Sequence, residues 1–230
     1  MPSYKPSKPI STVQPTDDTL SSRGGLALFV RYLSGIAIYP IIGRHFGSLR
    51  KSRKGLPIWN LFMQVFCFLF NGTSRHLVYF DDLAKDEGYA ATVENSLDDM
   101  ASSHIIKRFF QSFGMFAGGL FRKILNQLFV WRLKIQNPDV VELTIDTMVM
   151  NNDEAEKRQG VQPTYKKVKG FQPLQAIWNR KIVDAVFRGG KKNGNAGDTV
   201  LNMIERLVKL VRSTCGENVL IVIRLRQWFL

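Results

Sequence analysis

Apolar residues recur at helical spacing in the first half of the chain. From Leu26 they recur every three or four positions until Pro40, which predicts an amphipathic helix that ends or kinks at the proline. A second apolar run, residues 56–70, stops at Asn71-Gly72, a typical helix C-terminus. The first run is interrupted by a charged side chain and is shorter than the about 20 apolar residues of a membrane span. Both runs therefore predict core helices, with a membrane span as the alternative for the first.

The second half changes to an extended pattern. Residues 139–150 alternate as a strand does, and residues 171–178 and 181–190 predict two further strands joined at Asn179-Arg180, close enough for a hairpin. Residues 197–216 then predict an amphipathic helix that stops at Gly216. Its apolar stripe comprises Val200, Met203, Ile204, Leu207, Val208 and Val211. A fully apolar fourth strand follows, and a strand–helix–strand step of this kind implies a parallel, buried pairing.

This order predicts an α/β chain with three parts. Residues 1–24 form a disordered lead-in without the apolar segment of a secretory signal. Residues 25–136 form a helical region, and residues 137–230 form a domain ordered strand-strand-strand-helix-strand. The apolar fraction of 45% is sufficient for a buried core.

The charge balance indicates the class of partner. A formal charge of +13 and a pI near 9.9 favour a polyanion such as DNA, RNA or an anionic membrane surface. Cys67 and Cys215 lie far apart in unlike settings, which argues against a disulfide framework and a cysteine zinc site and fits a reducing compartment.

Basic residues cluster in three places. The span 21–60 carries seven Lys or Arg residues and no acid, and a predicted helix capped by Ser102 or Ser103 carries a basic pair near its middle. The third cluster is the span 157–192, which carries ten Lys or Arg residues against one acid, Asp184. The candidate phosphate contacts are Arg44, Arg50, Lys51, Arg53, Lys54, Lys107, Arg108, Lys166, Lys167 and Lys169. A solvated loop or hairpin is the equal alternative for the first and third clusters, and the basic pair is weak evidence for a helix-turn-helix.

Asp146 stands among apolar neighbours in the first predicted strand, where aspartate is uncommon. An unpaired carboxylate is costly to bury, so ion pairing or metal coordination is the usual remedy. From this stretch alone, an aspartate at a strand edge held by Lys or Arg is the favoured interpretation, and a metal ligand is the alternative.

The order of elements and several local motifs resemble the RNase H-like catalytic core of DDE transposases encoded by bacterial insertion sequences. "ELTIDTMVM" resembles the family's first-aspartate strand, "YKKVKGFQPLQAIW" its Y-x-x-x-x-G-[YF]-x-P-L segment, and "VFRGG" with "NGNAGD" its turn before the first core helix. Upstream, "SSHIIKRFF" and the apolar run around residues 55–86 resemble a helical region that binds element ends. The resemblance spans about residues 25–230.

The resemblance implies a metal-dependent DNA strand cleavage and transfer reaction in which two aspartates and a glutamate hold two Mg²⁺ ions. Asp146 matches the first carboxylate. The second is expected at position 226, where the chain has Arg226, and the glutamate is expected on a later helix. The implied partners are the terminal inverted repeats of a mobile element and a second copy or the full-length transposase, without a membrane. The implied location is the bacterial cytoplasm, at the nucleoid.

The residues after Leu225 suggest why the second aspartate is missing. If Arg226 is encoded by CGA or AGA and Gln227 by CAG, the bases read one position later spell Asp-Ser-Gly-Phe, the family's motif. A frameshift near codon 226 that truncated the chain is therefore the working hypothesis, and a genuine terminus is the alternative.

Three functions follow as expectations. The first is a truncated transposase that binds element ends and is inactive alone. The second is a DNA-binding inhibitor of the full-length enzyme. The third is an unrelated basic helical protein that binds RNA or a membrane.

Overall fold

The computed structural model of the chain describes residues 17–49, 54–114, 117–154, 160–192 and 199–225. The chain divides into two compact units, the first ending at Ser112 and the second beginning at Phe113. Each unit has its own buried residues.

The first unit is helical. Its α-helices are α1 (Gly24–Gly35), α2 (Ile38–Phe46), α3 (Ile58–Asn71), α4 (Phe80–Leu83), α5 (Glu87–Thr92) and α6 (Ser103–Gln111). Short 3₁₀ turns occupy Gly47–Leu49, Leu77–Tyr79 and Leu97–Asp99.

The first predicted helix is two helices, and the break does not lie at the proline. Ala37 adopts a left-handed conformation with φ 53° between α1 and α2, and the two segments are bent by 67°. Pro40 lies in the first turn of α2, where a missing N–H breaks no helical hydrogen bond. No single helix in the described ranges is long and apolar enough to cross a membrane. The bent pair α1 and α2 together has sufficient length and apolar composition for one span.

Helix α3 forms the centre of the first unit. It ends as predicted at Asn71, with Gly72 in the left-handed region at φ 65°. Phe62 packs against Phe46 and Phe109, with ring centroids 4.9 and 5.1 Å apart. The buried side chain of Gln64 donates to the Asp99 carbonyl at 2.9 Å and accepts from the Ala101 N–H at 2.8 Å. These bonds tie α3 to the segment that leads into α6.

The start of α6 is fixed by two side chains. Ser102 caps the helix by accepting from the Ile105 N–H at 3.5 Å, as predicted. Asp81 accepts from both the N–H and the hydroxyl of Ser103, at 2.8 and 2.7 Å. These hydrogen bonds from Ser103 lower the pKa of Asp81.

The second unit combines two helices with two sheets. Its elements are α7 (Ala117–Gln136), β1 (Val140–Thr147), β2 (Met150–Asn151), β3 (Gln162–Pro163), β4 (Lys169–Phe171), β5 (Leu174–Trp178), β6 (Lys181–Val186), α8 (Thr199–Cys215) and β7 (Leu220–Leu225). Helix α7 packs against β6 and α8. It therefore lies with the sheet, whereas the expected boundary after residue 136 places it in the helical region.

The larger sheet has the strand order β6-β5-β1-β7. β5 and β6 form the predicted hairpin, whose turn residues Asn179 and Arg180 both have positive φ, at 48° and 62°. Two such residues are typical of a type I′ turn. β7 pairs with β1 in parallel, as the strand–helix–strand step predicted.

Helices α7 and α8 cover one face of this sheet. The core comprises Phe129 and Leu133 of α7, residues Val200, Met203, Leu207 and Val211 of α8, and Val141, Leu143, Ile145, Leu174, Ala176 and Trp178 of the strands. Four positions of the stripe predicted for α8 are thus buried, and Ile204 packs against them. Gly216 ends α8 with φ 92°, as predicted.

The prediction that β7 is buried is wrong. Ile221 and Ile223 pack against the core, but Leu220 and Val222 are 58% and 39% exposed. In the described residues β7 has β1 on one side only, and its second face meets no helix. We call the face of the larger sheet that points away from α7 and α8 the open face. It carries Glu142 and Asp146 of β1.

The smaller sheet, of order β2-β4-β3, extends β1 and β5 beyond Thr147. Two glycines allow its backbones to approach closely. A Cβ atom at Gly170 would lie 2.1 Å from the Met150 carbonyl oxygen, and one at Gly190 would lie 2.1 Å from the Gln162 carbonyl oxygen. Any larger residue at either position would force the strands apart.

Candidate nucleic-acid interface

Asp146 lies near the end of β1, in the middle of the larger sheet. It pairs with Gln175 of the neighbouring strand β5, and its side chain is half-buried on the open face. Its Oδ1 accepts a hydrogen bond from the Thr147 N–H at 2.8 Å. The carboxylate thus stands at the carboxyl end of a central strand, where open α/β sheets commonly bind ligands.

Strand β7 runs beside β1 up to Ile145, the residue before Asp146. The register pairs Thr144 with Arg224 and Ile145 with Leu225, the last described residue. Arg226, where the second carboxylate is expected, lies outside the described residues, as do Gln227, Trp228 and Phe229.

The described residues do not supply a site for two metal ions. No group of three or more His, Cys, Asp or Glu side chains within the described ranges comes together around a cation. The other carboxylate on the open face of β1, Glu142, lies about 13 Å along the strand from Asp146 at about 3.3 Å per residue. It is paired with Arg224 at 2.9 Å. The described residues therefore do not fit a pair of Mg²⁺ ions.

A second strand aspartate, Asp184 on β6, is held on the helix-covered face. It is fully buried and accepts from Arg206 of α8, at 3.1 Å from Nε, and pairs with Arg122 Nε of α7 at 3.2 Å. Two guanidinium groups from two helices satisfy this carboxylate, so its role is structural. The sequence signal is an aspartate in the apolar strand "KIVDAV", but its arginine partners lie far along the chain.

In the first unit, Lys54 and Arg108 are brought together. Both line a cavity of about 650 Å³ with Ile105 and with the acidic residues Asp98 and Asp99. A phosphate that approached either cation there would also meet two carboxylates, which weakens the attraction.

The other basic residues of this unit lie apart from that cavity. Lys107 is exposed on α6, near enough to Asp81 to help lower the pKa of that carboxyl after its bonds from Ser103. Arg44 is exposed in the last turn of α2. Arg50, Lys51 and Arg53 lie outside the described residues. Lys107 and Arg108, although adjacent in sequence, therefore lie in two different surroundings.

In the second unit, Lys166, Lys167 and Lys169 lie together at the end of the smaller sheet. All three are exposed, the first two in the turn between β3 and β4 and the third in β4. Lys167 has a positive φ of 61°, and its N–H donates to the Thr164 carbonyl at 3.0 Å. The tight turn thus concentrates three cations at one tip.

The open face and this tip belong to one continuous ribbon. β1 leads into β2, β4 leads into β5, and the Met148 N–H donates to the Pro173 carbonyl at 3.3 Å between them. From Asp146 to Asn151 the ribbon extends about 17 Å at about 3.3 Å per residue. A strand of nucleic acid with about 3.4 Å per nucleotide would cover this distance in about five nucleotides.

Comparison of the chain with family models, with curated proteins and with solved structures gave no match. The described residues define an α/β protein with a helical region followed by a mixed sheet. In the larger sheet a helix leads from the third strand to a fourth strand that pairs in parallel with the first.

Proposed function

We propose that this chain is a fragment of a DDE transposase of the bacterial insertion-sequence type. It binds the DNA ends of a mobile element and does not cleave or transfer strands alone. DNA as the partner implies action at the nucleoid, in the bacterial cytoplasm.

The observation that carries this proposal is the position of Asp146 in the strand order β6-β5-β1-β7. Three antiparallel strands, a crossover helix and a fourth strand parallel to the first are the order expected at the beginning of the RNase H-like core that the sequence motifs resemble. In that core the two aspartates stand on the first and fourth strands, and here Asp146 directly follows Ile145, which pairs with Leu225 of β7.

The glycines of the resembling motifs support the same interpretation. Gly170, in the segment "YKKVKGFQPLQAIW", and Gly190, in "VFRGG", both occupy positions where a Cβ atom would meet a neighbouring carbonyl oxygen. The motifs thus have a physical cause, which is the close approach of β4 to β2 and of the segment after β6 to β3 and β4. This agreement between the motif glycines and the backbone contacts does not depend on the acidic residues.

Binding without catalysis follows from the carboxylates. A two-metal displacement at phosphorus needs acidic ligands that converge on both ions. Asp146 has no second carboxylate near it among the described residues of the open face, because Glu142 lies about four residues back along the strand. DNA contacts need only cations, and these occur in both units.

A gel-shift assay tests the proposal. Purified chain is titrated against duplexes of the inverted repeats that flank its gene and against shuffled duplexes of equal length. We expect at least ten-fold tighter binding to the repeats and a steep loss of affinity with salt. Equal affinity for shuffled DNA, or tighter binding to RNA or anionic vesicles, contradicts it.

A strand-cleavage assay tests the inactive part of the proposal. The same repeats are incubated with the chain and Mg²⁺ or Mn²⁺, and no cuts are expected. Cuts that disappear in Asp146→Ala but persist in Asp139→Ala, an exposed aspartate just before β1, would show that the chain is active.

Inhibition of a full-length enzyme is the second candidate, and the same scattered carboxylates favour it. A chain that occupies element ends without cutting them would lower transposition by an intact transposase. Addition of this chain to a transposition assay should reduce product in proportion to its occupancy of the ends.

A further inference from the structure

The duplex binding proposed above does not involve a pocket that lies next to the tip of the smaller sheet. It has a volume of about 410 Å³ and is lined by Pro163, Tyr165, Gln172, Gly190 and Lys191. This volume falls in the range of about 300–1,000 Å³ that is usual for small-ligand sites.

The wall that carries Tyr165 is held by a hydrogen-bonded turn. Thr164 is buried, and its N–H donates to the Val168 carbonyl at 2.9 Å while its hydroxyl donates to the same oxygen at 2.8 Å. Tyr165 follows directly and is 38% exposed. Its ring is thus presented by a fixed backbone, which lowers the entropic cost of binding.

The opposite wall is fixed by backbone contacts. The Lys191 N–H donates to Gln162 Oε1 at 3.3 Å, and Gly190 packs against the Gln162 carbonyl. Below them, Arg188 is buried and its Nε donates to the Gln172 carbonyl at 3.1 Å, while the Gln172 N–H donates to the Arg188 carbonyl at 3.0 Å. The pocket is therefore formed before any ligand binds.

Its surroundings are cationic. Lys191 belongs to the wall, and Lys166 Nζ lies 5.9 Å from the centroid of the Tyr165 ring. The acid of the described range 160–192 is Asp184, which is buried and paired with arginines on the helix-covered face. Asp153, just before the range, accepts from the Lys169 N–H at 3.0 Å. An anionic ligand is thus attracted to a site whose lining residues carry no carboxylate.

We infer that this pocket binds one unpaired nucleotide of a DNA single strand, with the base stacked on Tyr165 and its phosphate at Lys191. An aromatic side chain beside lysines is the combination that holds single strands, because every base has a face that can stack and every nucleotide carries a phosphate. The inference rests on the proposed function for the identity of the polymer as DNA. It adds a site for a single strand to the duplex binding proposed above.

Fluorescence anisotropy with a labelled 12-nucleotide single strand tests this site in the full chain. Tyr165→Ala should weaken binding about ten-fold, within the range found for loss of one stacked base. Tyr165→Phe should bind like the original chain. The matched control is Tyr32→Ala, which removes an exposed tyrosine on α1 of the first unit and should have no effect.

The phosphate contact is tested by the dependence of affinity on salt. Lys191→Ala should lower the slope of log affinity against log salt by about one. Lys209→Ala, which removes an exposed lysine on α8, is the control and should leave the slope for the single strand unchanged.

The outcomes separate this site from the proposed function. If Tyr165→Ala binds the single strand as tightly as the original chain, or loses no more than Tyr32→Ala, the nucleotide site is wrong even where the repeats are preferred. If the dependence on Tyr165 holds but the repeats bind no better than shuffled duplex, the site stands and the transposase proposal fails. Equal or tighter Tyr165-dependent binding of a single-stranded RNA overturns the assignment to DNA.

Discussion

Asp184 on β6 and Arg206 on α8 form a hydrogen-bonded ion pair, with Arg206 Nε 3.1 Å from the carboxylate, beneath the helices that cover the larger sheet. The side chains of Arg206 and Arg122 retain 30% and 29% exposure, whereas that of Asp184 is fully buried. The cost of burying the carboxylate is therefore offset by two partly solvated cations.

Asp184→Asn should destabilise the second unit by about 3 kcal/mol, at the low end of the range for breaking a buried pair, because both arginines keep access to water. Urea unfolding followed by circular dichroism measures this loss. Asp139→Asn, at an exposed position, is the control and should change the free energy of unfolding by less than about 0.5 kcal/mol. A loss for Asp184→Asn no larger than that of the control would mean that the pair contributes no net stability.

Gly170→Ala should disrupt the smaller sheet, because the added methyl group would lie 2.1 Å from the Met150 carbonyl oxygen. We expect a loss of stability of about 2 kcal/mol or more and faster proteolysis of the ribbon between β1 and β5. Gly119→Ala on α7 meets no atom within 4 Å and should stabilise the helix by about 0.5–1 kcal/mol. Limited proteolysis and thermal unfolding of both variants compare the two positions directly.

The stability of the first unit should fall in acid through Asp86. This carboxylate caps α5 by accepting from the Tyr89 N–H at 2.8 Å, and it pairs with Arg23 at 2.7 Å. The bond from Tyr89, followed by that from Arg23, holds the pKa of Asp86 below its ordinary value.

Because the folded-state pKa is the lower one, this contribution is complete above the unfolded pKa of about 3.9 and is lost as the pH falls through the folded pKa. Asp86→Asn keeps an N-cap oxygen but removes the charge, so it should remove that part of the acid dependence and lower stability at pH 7 by less than about 1 kcal/mol, the usual contribution of a partly exposed ion pair. Thermal unfolding between pH 7 and pH 2.5 compares the two chains. An unchanged pH dependence in the variant would show that Asp86 does not contribute to it.

The two cysteines should differ in reactivity. Burial raises the pKa of Cys67 to about 12, so its thiol stays protonated and unreactive at neutral pH. Cys215 is partly exposed at the end of α8. Alkylation followed by mass spectrometry should therefore label Cys215 first and Cys67 only after urea unfolds the chain. Equal rates in the native chain would show that Cys67 is accessible.

Long, periodic or locally signalled elements could be predicted from sequence. The stripe of α8, the stop of α3 at Asn71-Gly72 and the hairpin turn at Asn179-Arg180 all follow from patterns within about twenty residues. The parallel pairing of β1 and β7 followed from the intervening helix.

Features that depend on distant partners or on one backbone angle could not be predicted. The helix break depends on the positive φ of Ala37, a residue without a preference for that conformation. β2 and β3 are two residues long, too short for any periodic signal. The arginine partners of Asp184 are 22 or more residues away along the chain. The exposure of β7 depends on what packs against it, and an apolar composition does not reveal this.

The candidate site was predicted only in part. Asp146 and the lysines of the turn could be singled out from residue type alone, but the pocket at Tyr165 depends on Gly190 and Lys191, which approach the turn only in the folded sheet. Tyr165 itself lies directly before the two predicted lysines, and this sequence of one aromatic and two basic residues was the available signal.

The parallel pairing of β1 with β7 also sets the order in which the chain can fold during synthesis. Val140 pairs with Leu220, so the two strands must close a loop of about 80 residues, an entropic cost that local helices do not bear. The helices of the first unit and the β5–β6 hairpin need only neighbours that have already left the ribosome. One edge of β1 therefore remains unpaired until β7 emerges from the ribosome. During that interval a chaperone or rapid elongation is needed to prevent this edge from pairing with another chain.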